Sequence, residues 1–547
     1  MISANTDAAA VVLVNAERGP LGLPARHDAP LGGSTVLGVT LRRLARCGSL
    51  DRIVVVHRAG AEPVVPDDPG LQKRIVMHAV DGEVYDGWHA MRIAARKWAT
   101  TCWRGGLGGM TVFDELLSAR VAMEAIDATA ALLVGPDWPL VDSALCDAVI
   151  ERHREQPGAL RLVFTQAPPG FAGVLVERTL LAELDQSDGT IGAMLDYSVR
   201  APQGDPIAKD LCVTIDPALR NALLRGTYDA PRWSGAIDVL AGSCGDDELV
   251  TMEASAAAKR LLEIHAGREA ATPQQVAVEL NTVRGADGPI VPQHHVDLRR
   301  EPLSLDRARE LFEQIAAEPD AVVTLGGLGD ALLHERWAEM VAAAREAGVW
   351  GIHLETDLLV ERDVLEQLSA APVDMVSVRI NADTAGTYER LMGCDALARV
   401  TDNVQFLLRR RAESGAGLPW IVPRMVKTTE NVSELEAFFD RWTHFAQHAW
   451  VEGPQTGLGL IDDQSVLQMA PPRRVGCRQI QNRLTIHADG RAALCDQDWQ
   501  CRGGDGPGEG MDVGGAWGRL AAVRAAHREG RFEDLPLCAG CGEWHRP

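Results

Sequence analysis

The residues best suited to chemistry are the cysteines near the end of the chain. The sequence has eleven cysteines, and five of them follow residue 476. They are Cys477, Cys495, Cys501, Cys538 and Cys541. In a reducing compartment, clustered cysteines bind metals more often than they form disulfides. The tail of the chain therefore predicts a metal site.

Two local motifs would bring four of these thiols together. The alternating run Arg483–His487 ends at Asp489 and Gly490 and returns through a short apolar run, a pattern that predicts a β-hairpin. Such a hairpin places Cys477 and Cys495 at its open end. A Cys-x-x-Cys turn supplies a second pair of thiols. The predicted ligands of one metal centre are therefore Cys477, Cys495, Cys538 and Cys541.

The number of ligands leaves the identity of the metal open. Four thiolates hold a structural Zn²⁺ ion, and they equally hold an iron–sulfur cluster. Cys501 is a spare thiol, which could replace Cys495 as a ligand or lie in a loop. Four cysteine ligands leave no open iron, so a cluster bound in this way is expected to hold structure or pass electrons rather than make bonds.

The first 240 residues read as an α/β domain with a ligand-binding loop. An apolar strand at Ala10–Val14 is followed by a loop rich in Gly, Pro and Arg, a helix at Ser34–Arg46 and a strand at Arg52–Val56. In such βαβ units the loop after the first strand is where phosphates are usually held. Another apolar strand, Ala131–Val134, leads to Asp137. An acid just past the end of a parallel strand is well placed to bind a metal ion.

This domain resembles the nucleotidyltransferases of the glycosyltransferase-A fold, in its glycine-rich first turn and in the strand end Gly-Pro-Asp-Trp-Pro-Leu. The resemblance implies that Arg18 and Gly19 contact a nucleotide and that Asp137 binds Mg²⁺. The chain departs from the family at residues 29–31, which read Ala-Pro-Leu where the family has Lys-Pro-Leu. Arg18 or Arg26 could replace that lysine, although arginine and lysine bind phosphate differently.

Residues 276–470 alternate strand and helix at the spacing of a parallel sheet or barrel. The predicted strands are Val276–Leu280, Ala321–Leu325, Gly351–Glu355, Asp374–Ile380 and Trp420–Val426. A helix is predicted at Leu333–Ala347. Residues 241–275, which contain a short amphipathic helix, are predicted to be a linker to the preceding domain.

The middle segment resembles the barrel of radical S-adenosylmethionine (SAM) enzymes, in TLGGLGDALL with the helix and HLETD that follow, and in VSVRINADTAGTYERLMG. In that family a Cys-x-x-x-Cys-x-x-Cys motif after the first strand holds the catalytic cluster. The corresponding positions here are Gly285, Pro289 and Pro292, and Leu328 replaces the acid of the family's Gly-Gly-Glu motif. Without those thiolates the open-iron cluster cannot assemble in the family's way. The sequence therefore predicts that this barrel does not cleave SAM.

Residues 471–547 resemble the SPASM domain that follows many radical SAM barrels, in the hairpin, in Trp517 with the helix after it, and in LPLCAGC. In that family the corresponding cysteines hold an auxiliary [4Fe–4S] cluster. The resemblance implies one such cluster on the four tail cysteines. Because the barrel lacks its own cysteines, this cluster would be the sole cluster of the chain.

The overall composition restricts the class of function. Lys and Arg number 54 against 76 Asp and Glu, for a formal net charge of −22. This acidity argues against a nucleic-acid partner, which requires a basic surface. The first apolar run lacks the basic residues of a signal peptide, and no later run is apolar enough to span a membrane. We expect a cytoplasmic protein with a small-molecule or peptide ligand and an electron-transfer partner.

The sequence thus predicts an α/β protein in three parts: a nucleotidyltransferase-like domain at 1–240, a degenerate radical-SAM-type partial (β/α) barrel at 276–470, and a SPASM domain at 471–547. The first functional hypothesis is an iron–sulfur protein that binds a peptide or sugar-nucleotide ligand without cleaving SAM. The second is an Mg²⁺-dependent nucleotidyl or glycosyl transferase acting through the N-terminal domain. The third is a radical enzyme with unorthodox cluster ligation, to which His294 and His295 could contribute.

Overall fold

Two sheets rich in parallel pairs, one in each half of the chain, organise the protein. The computed structural model describes residues 7–81, 90–107, 110–116, 122, 125–187, 190–195, 206–207, 209–267, 272–415, 417–467, 471, 473–504 and 512–545. The chain divides into two compact units, Met1–Glu269 and Ala270–Pro547. Within the described ranges, none of the helices combines the length and apolar character that a membrane crossing requires.

The first unit is built on a seven-stranded sheet with the order β5-β4-β1-β6-β8-β7-β9. Its strands are β1 Ala8–Val14, β2 Pro30–Leu31, β3 Ser34–Thr35, β4 Arg52–Arg58, β5 Ile75–Val80, β6 Ala130–Val134, β7 Leu162–Thr165, β8 Val174–Glu177 and β9 Cys212–Val213. Its helices are α1 Val36–Leu44, α2 Pro69–Gln72, α3 Ala90–Lys97, α4 Ser143–Glu155, α5 Arg178–Ser187, α6 Ile191–Leu195, α7 Pro217–Arg220, α8 Pro231–Gly242, α9 Asp246–Thr251 and α10 Ala254–Gly267.

The centre of this sheet is formed by β1 and β6, which pair in parallel. Every residue of both strands is buried, as continuous apolar runs in parallel sheets usually are. The strands expected around Ala10–Val14, Arg52–Val56 and Ala131–Val134 are thereby confirmed. Because β1 and β6 run in the same direction, the loop after β1 and the turn after β6 lie at the same edge of the sheet.

The second unit is built on an eight-stranded sheet with the order β15-β14-β13-β12-β11-β10-β16-β17. Its strands are β10 Gln275–Glu279, β11 Val322–Gly326, β12 Gly351–Thr356, β13 Met375–Arg379, β14 Trp420–Val426, β15 Trp450–Glu452, β16 Arg483–Ile486 and β17 Ala492–Ala493. Its helices are α11 Leu305–Ile315, α12 Trp337–Glu346, α13 Arg362–Ala370, α14 Ala385–Met392, α15 Leu397–Ser414, α16 Leu435–Ala446, α17 Arg478–Asn482, α18 Val513–Arg519 and α19 Ala521–Arg528.

The strands from β10 to β15 are neighbours in chain order, pair in parallel and are connected through helices. This is the architecture of a partial (β/α) barrel, and the five strands predicted between residues 276 and 426 are confirmed. The helix predicted at Leu333–Ala347 begins later, at Trp337. The reason is local, because the Asp330 carboxylate accepts the N–H of Leu332 and caps a 3₁₀ turn there.

The tail hairpin is confirmed and has a second partner that the sequence did not reveal. Strands β16 and β17 pair antiparallel across the Asp489-Gly490 turn. On its other edge β16 pairs in parallel with β10, with Val276 opposite Leu484 and Val278 opposite Ile486. The hairpin therefore extends the barrel sheet.

The two faces of the barrel sheet differ in polarity. Alternate residues such as Val278 of β10 and Leu354 of β12 are buried in the main hydrophobic core of the second unit. Their neighbours on the other face are polar, and they include Glu279, His353 and Glu355. Since side chains of a strand alternate between faces, one face of the sheet packs on the core and the other presents hydrogen-bonding and charged groups.

Candidate functional site

The four predicted ligand cysteines come together at one end of β16. Cys477 directly precedes α17, which leads into β16, and Cys495 follows β17. The Cys538-x-x-Cys541 turn joins them, and the Cys541 thiol interacts electrostatically with each of the other three. We call these four residues the cysteine cage. In the described part of the chain, no three His, Cys, Asp or Glu side chains stand close enough together to hold a single metal ion.

The cage combines burial with hydrogen-bond donors aimed at sulfur. Burial raises the pKa of the Cys477 thiol, raises that of Cys495 well above its usual value, and raises that of Cys538 to about 11. Backbone N–H groups oppose this effect at Cys477 and Cys495, and the N–H of Glu543 donates to Cys541 Sγ at 3.3 Å. Such donors favour the thiolate form, but buried thiolates also require a cation to compensate their charge.

Two buried donor groups beside the cage have no acceptor. His527 Nδ1 accepts the N–H of Cys477 at 3.2 Å, which leaves the proton of the neutral ring on Nε2. That Nε2 atom is buried without a hydrogen-bond partner, and so is Nε of Arg474. The other nitrogens of Arg474 donate to the carbonyl oxygens of Cys538 and Ala539 at 2.6 and 2.9 Å. These donors fit a bound group that carries acceptor atoms and negative charge.

Cys501 does not join the cage. Its N–H donates to the Asp498 carbonyl oxygen at 3.0 Å, and Nε2 of His487, which follows the opposite end of β16, lies 3.2 Å from the same oxygen. The structure therefore supports Cys495, rather than Cys501, as the fourth member of the cage.

Paired charges occupy the C-terminal ends of the barrel strands. We call this group the strand-end charge layer, and its members are Glu279, Arg284, Arg300, Glu355, Asp357, Arg379, Arg424 and Glu452. Glu355 bridges Arg379 at 2.9 Å and Arg424 at 2.6 Å. Although burial opposes ionisation, these two guanidinium groups hold the pKa of Glu355 well below its usual range. The layer therefore contains four arginines and four carboxylates, and their charges balance.

The loop after β10, where the radical SAM family has its cluster cysteines, is tied to the sheet by one of these pairs. Arg284 makes a bidentate ion pair with Asp357, both distances being 2.6 Å, and both side chains are buried. The N–H of Asp287 donates to the carbonyl oxygen of Met392, the last residue of α14. The positions Gly285, Pro289 and Pro292 supply no metal-binding side chain.

The two histidines of this loop, which could replace the cysteines as cluster ligands, lie within hydrogen-bonding distance of backbone carbonyl oxygens instead. His294 Nδ1 lies 2.9 Å from the carbonyl oxygen of Asp287, and His295 Nε2 lies 2.7 Å from that of Pro289. Leu328, in place of the family's acid, packs in a small apolar cluster with Leu298 and Trp499. The described residues thus do not fit the open-iron cluster of the family.

In the first unit the predicted residues Gly19 and Asp137 come together. A Cβ atom added to Gly19 would lie 4.0 Å from Asp137 Oδ2 and 3.7 Å from Cβ of Asp229. Arg18 is exposed. Arg26 donates to Ser234 Oγ at 2.7 Å and stacks over the Tyr228 ring. Of the two arginines proposed to contact phosphate, one is therefore exposed and the other is bound within the unit.

Asp229 is a site residue that the sequence reasoning missed. It lies in the stretch RGTYDAPRW at residues 225–233, and its carboxylate is held by the buried Arg225 and by Thr227. Burial and then the nearby Asp229 charge raise the pKa of Asp137 to about 7. Oδ1 of Asp137 is buried without a hydrogen-bond partner. Two neighbouring carboxylates, one paired with Arg225 and the other with an unsatisfied buried oxygen, form a candidate site for a divalent cation.

Comparison with known proteins gives limited similarity. No family model matches this chain. An uncharacterized protein of Treponema pallidum (strain Nichols) is 27% identical over 242 residues, which cover 41% of this chain. The match spans 65% of that relative, slightly less than two thirds of its length.

Solved structures similar to this chain include two proteins that have been crystallised with S-adenosylmethionine. BtrN in complex with AdoMet and 2-DOIA has a TM-score of 0.34 and 13% identity, covering 49% of this chain and 92% of that one. Streptococcus suis SuiB bound to the precursor peptide SuiA has a TM-score of 0.36 and 10% identity, covering 64% and 81%. A cytidylyltransferase from Leptospira borgpetersenii has a TM-score of 0.30 and 13% identity, covering 47% and 92%. Similarity at this level carries no inference about activity.

The Arg284–Asp357 pair gives a test of the strand-end charge layer. Arg284→Met leaves the Asp357 carboxylate buried without its bidentate partner, and breaking a buried pair costs about 3–5 kcal/mol. We expect a loss of this size in the unfolding free energy of the second unit, with partial recovery in Arg284→Met/Asp357→Asn. Hydrogen exchange at β10 and β12 in the full-length protein, followed by mass spectrometry, measures this unit separately.

The control for this test is Arg299→Met, because the Arg299 side chain is 93% exposed in the same region of the chain. It should leave hydrogen exchange unchanged. An equal loss in the single and double variants would contradict the ion-pair interpretation, since it would mean that packing of the Arg284 stem, and not the charge left on Asp357, determines stability.

Proposed function

We propose that this chain is an iron–sulfur protein of radical SAM descent that does not cleave SAM. In this proposal the cysteine cage binds one [4Fe–4S] cluster, and the barrel binds a peptide or sugar-nucleotide ligand. The observation that carries the proposal is the cage itself: four neighbouring thiols, of which Cys477 and Cys538 are buried and the other two are half-buried, with backbone N–H groups aimed at three of them. The unpartnered donors of His527 and Arg474 support it.

The position of the cage favours a structural or electron-relay role. Cys495 lies beside the start of β16, because Thr485 is paired with Ala493 two residues earlier. The strand-end charge layer lies at the other end of the same parallel strands. A ligand bound at the strand ends would therefore be separated from the cluster, and four thiolates leave no open iron to bind it.

The charges at the strand ends support the proposed loss of SAM chemistry. Arg284, Asp357 and Arg379 lie where the loop after β10 meets the ends of β12 and β13. Together with Glu355, which pairs with Arg379, their charges neutralise one another, so a new charged ligand would have to compensate for each ion pair that it displaces. Of the two proposed ligands, a peptide bound on the polar face of the sheet therefore meets a smaller electrostatic cost than a sugar nucleotide, whose phosphates are charged.

Metal analysis tests the cage. A protein purified without oxygen should contain about four iron and four sulfide per chain, because one cubane has that composition. We expect Cys495→Ala to lose most of the iron and the matched control Cys501→Ala to retain it. Zinc in place of iron would contradict the proposal. About eight iron per chain would instead support the radical enzyme with unorthodox ligation.

His527 tests whether the unpartnered donors face the cluster. Hydrogen bonds to cluster sulfur favour the more negative, reduced state, so His527→Phe should lower the midpoint potential measured in a dithionite titration by electron paramagnetic resonance. His527→Gln retains a side-chain N–H and should preserve part of the potential. Arg528→Gln, a neighbouring exposed position on α19, is the control. Equal potentials in all four proteins would contradict this role of His527.

A second candidate function is an Mg²⁺-dependent nucleotidyl or glycosyl transferase in the first unit. The unsatisfied Oδ1 of Asp137, next to Asp229 and the Gly19 loop, favours it. In this proposal the two carboxylates hold the cation and the backbone of the loop approaches the nucleotide phosphates. Lys is absent from the first turn, so the cation would carry most of the charge compensation.

Calorimetric titration with CTP and with UTP in the presence of Mg²⁺ tests this candidate. We expect binding that Asp137→Asn weakens by at least about tenfold, which corresponds to 1.4 kcal/mol. Asp142→Asn is the matched control, because both oxygens of Asp142 already accept backbone N–H groups, from Leu145 at 3.0 Å and Ala254 at 2.7 Å. No binding of either nucleotide up to about 1 mM would contradict the transferase.

A further inference from the structure

The polar face of the barrel sheet carries a layer of small side chains halfway along its strands. From β10 to β13 alternate residues are buried in the core on the helix side, so the residues between them face the opposite side, which we call the lumen. The pairing of the strands places Thr485, Ala277, Thr324 and His353 level with one another on this face. Barrels of this kind usually fill their interior with bulky branched side chains. Here three of the four level residues are small, which leaves room in the lumen.

The exposure of two residues on central strands shows that this room exists. Ala277 of β10 and Thr324 of β11 are both partly exposed. Each of these strands is paired on both edges, β10 with β16 and β11, and β11 with β10 and β12. Their helix side is covered by the core. The exposed surface of Ala277 and Thr324 must therefore face the lumen, and a space at least as large as a water molecule lies in front of them.

An uncharged hydrogen-bonding group borders this space. His353 is buried, and its ring lies between two hydroxyl groups, with Nε2 2.9 Å from Ser377 Oγ and Nδ1 3.3 Å from Thr324 Oγ1. Burial, opposed by Glu355 and assisted by Arg424, lowers the pKa of His353 to about 3. The ring is therefore neutral at physiological pH, and it donates from one nitrogen and accepts at the other.

Thr324 has hydrogen-bonding capacity left for a ligand. In the part of the chain that the structure describes, His353 is the one residue within hydrogen-bonding distance of its hydroxyl group. If Thr324 donates to the ring, its oxygen can still accept, and if it accepts from the ring, its proton can still be donated. The partly exposed Trp450 ring, centred 5.9 Å from that of His353, adds an aromatic wall beside these groups.

The charged groups around the lumen are paired with one another. Glu355 of β12 reaches across β13 to Arg424 of β14 at 2.6 Å and also meets Arg379 at 2.9 Å. The other charges are matched as well: Glu279 with Arg300, Asp357 with Arg284, Glu452 with Arg424, Asp496 with Arg483, His487 with Glu279 and Asp489 with Arg300. A charged ligand group that entered the lumen would lose water without gaining an unpaired counter-charge from any of these residues.

We propose that the lumen layer of Ala277, Thr324, His353 and Ser377 binds a neutral group of the ligand that both donates and accepts hydrogen bonds, and that it rejects charged groups. In a peptide ligand, a side-chain amide has this chemistry. The proposal rests on the function proposed above in one respect, namely that the barrel binds a ligand. It does not depend on the metal of the cysteine cage.

Disulfide capture at an introduced cysteine tests this site without knowledge of the natural ligand. Ala277→Cys places one thiol on the lumen face, where the native Cβ is partly exposed. The variant holoprotein is equilibrated without oxygen, in separate samples, with the disulfides of mercaptopropionamide, mercaptopropionate, mercaptopropylamine and isopentanethiol, at one fixed concentration of reducing thiol. Because every adduct contains the same S–S bond, differences in the captured fraction report how well the rest of each small molecule fits.

The matched control is Val283→Cys, because Val283 is 55% exposed on the loop after β10. Peptide mass spectrometry measures the captured fraction at position 277 or 283. At position 277, relative to position 283, we expect at least about tenfold more capture of the amide than of the carboxylate or the ammonium compound, because a buried charge without a partner is costly. We also expect more capture of the amide than of isopentanethiol, its hydrocarbon counterpart of equal size.

Two substitutions in the Ala277→Cys background separate hydrogen bonding from charge. Thr324→Val should remove the advantage of the amide over isopentanethiol and keep its advantage over the charged compounds. Glu355→Gln removes the negative charge between Arg379 and Arg424, so capture of mercaptopropionate should rise by at least about threefold. Glu452→Gln, at a position with a side chain 32% exposed, should act in the same direction and serves as the test if Glu355→Gln does not fold.

Each contrary result overturns a defined part of the proposal. Equal capture of charged and neutral compounds at position 277 would overturn the rejection of charge. Equal capture of the amide and isopentanethiol would overturn the hydrogen-bonding role of the layer. Capture at position 283 with none at position 277 would overturn the lumen site itself. Iron is measured in the same samples, so each of these outcomes is distinguishable from failure of the cysteine cage to hold a cluster.

Discussion

The parallel pairing of β10 with β16 is the contact on which the second unit depends. It carries the tail of the chain into the barrel sheet, with β16 between β10 and its own hairpin partner β17. The residues that precede β16 therefore lie at one end of the sheet, and those that follow it lie at the other end. The cysteine cage lies where β16 begins, and His487 with Cys501 lies where it ends. The four residues of β16 separate the two places by about 10 Å of strand.

The same sheet explains how the barrel can fold without a metal cluster bound in the loop after β10. Its outer face is apolar and packs on the helices, so the fold does not require a cluster. Its strand ends carry charges that would be costly to bury alone. Ion pairs such as Arg284–Asp357 and Arg379–Glu355 neutralise them internally. Side chains of the protein itself therefore hold the loop after β10, where the radical SAM family has cysteines that bind a cluster.

The first unit shows the opposite electrostatic situation. Arg225 pairs with Asp229, whereas the neighbouring Asp137 has one carboxylate oxygen that is buried and unsatisfied. The cost of ionising such a pair falls when a cation binds between the carboxylates. In the strand-end charge layer of the second unit, each carboxylate is neutralised by an arginine. The Asp137–Asp229 pair carries one negative charge more than Arg225 neutralises, so it needs a proton or a metal ion. That difference is the physical reason to look for divalent-cation binding in the first unit.

The sequence by itself determined the local elements. The apolar runs of β1, β6 and β10–β14 and the Asp489-Gly490 turn were readable because strand periodicity and turn chemistry are set by neighbouring residues. The absence of cluster cysteines after β10 was equally plain. Only the tertiary structure decided that β16 pairs with β10, that Arg284 meets Asp357, that Asp229 lies by Asp137, and that Cys501 lies at the end of β16 near His487 rather than in the cage. Each of these contacts except the last joins residues more than 70 positions apart, and the last depends on a left-handed turn at Cys501. Such partners are chosen by packing and by the need to neutralise buried charge, which a local pattern of residues does not record.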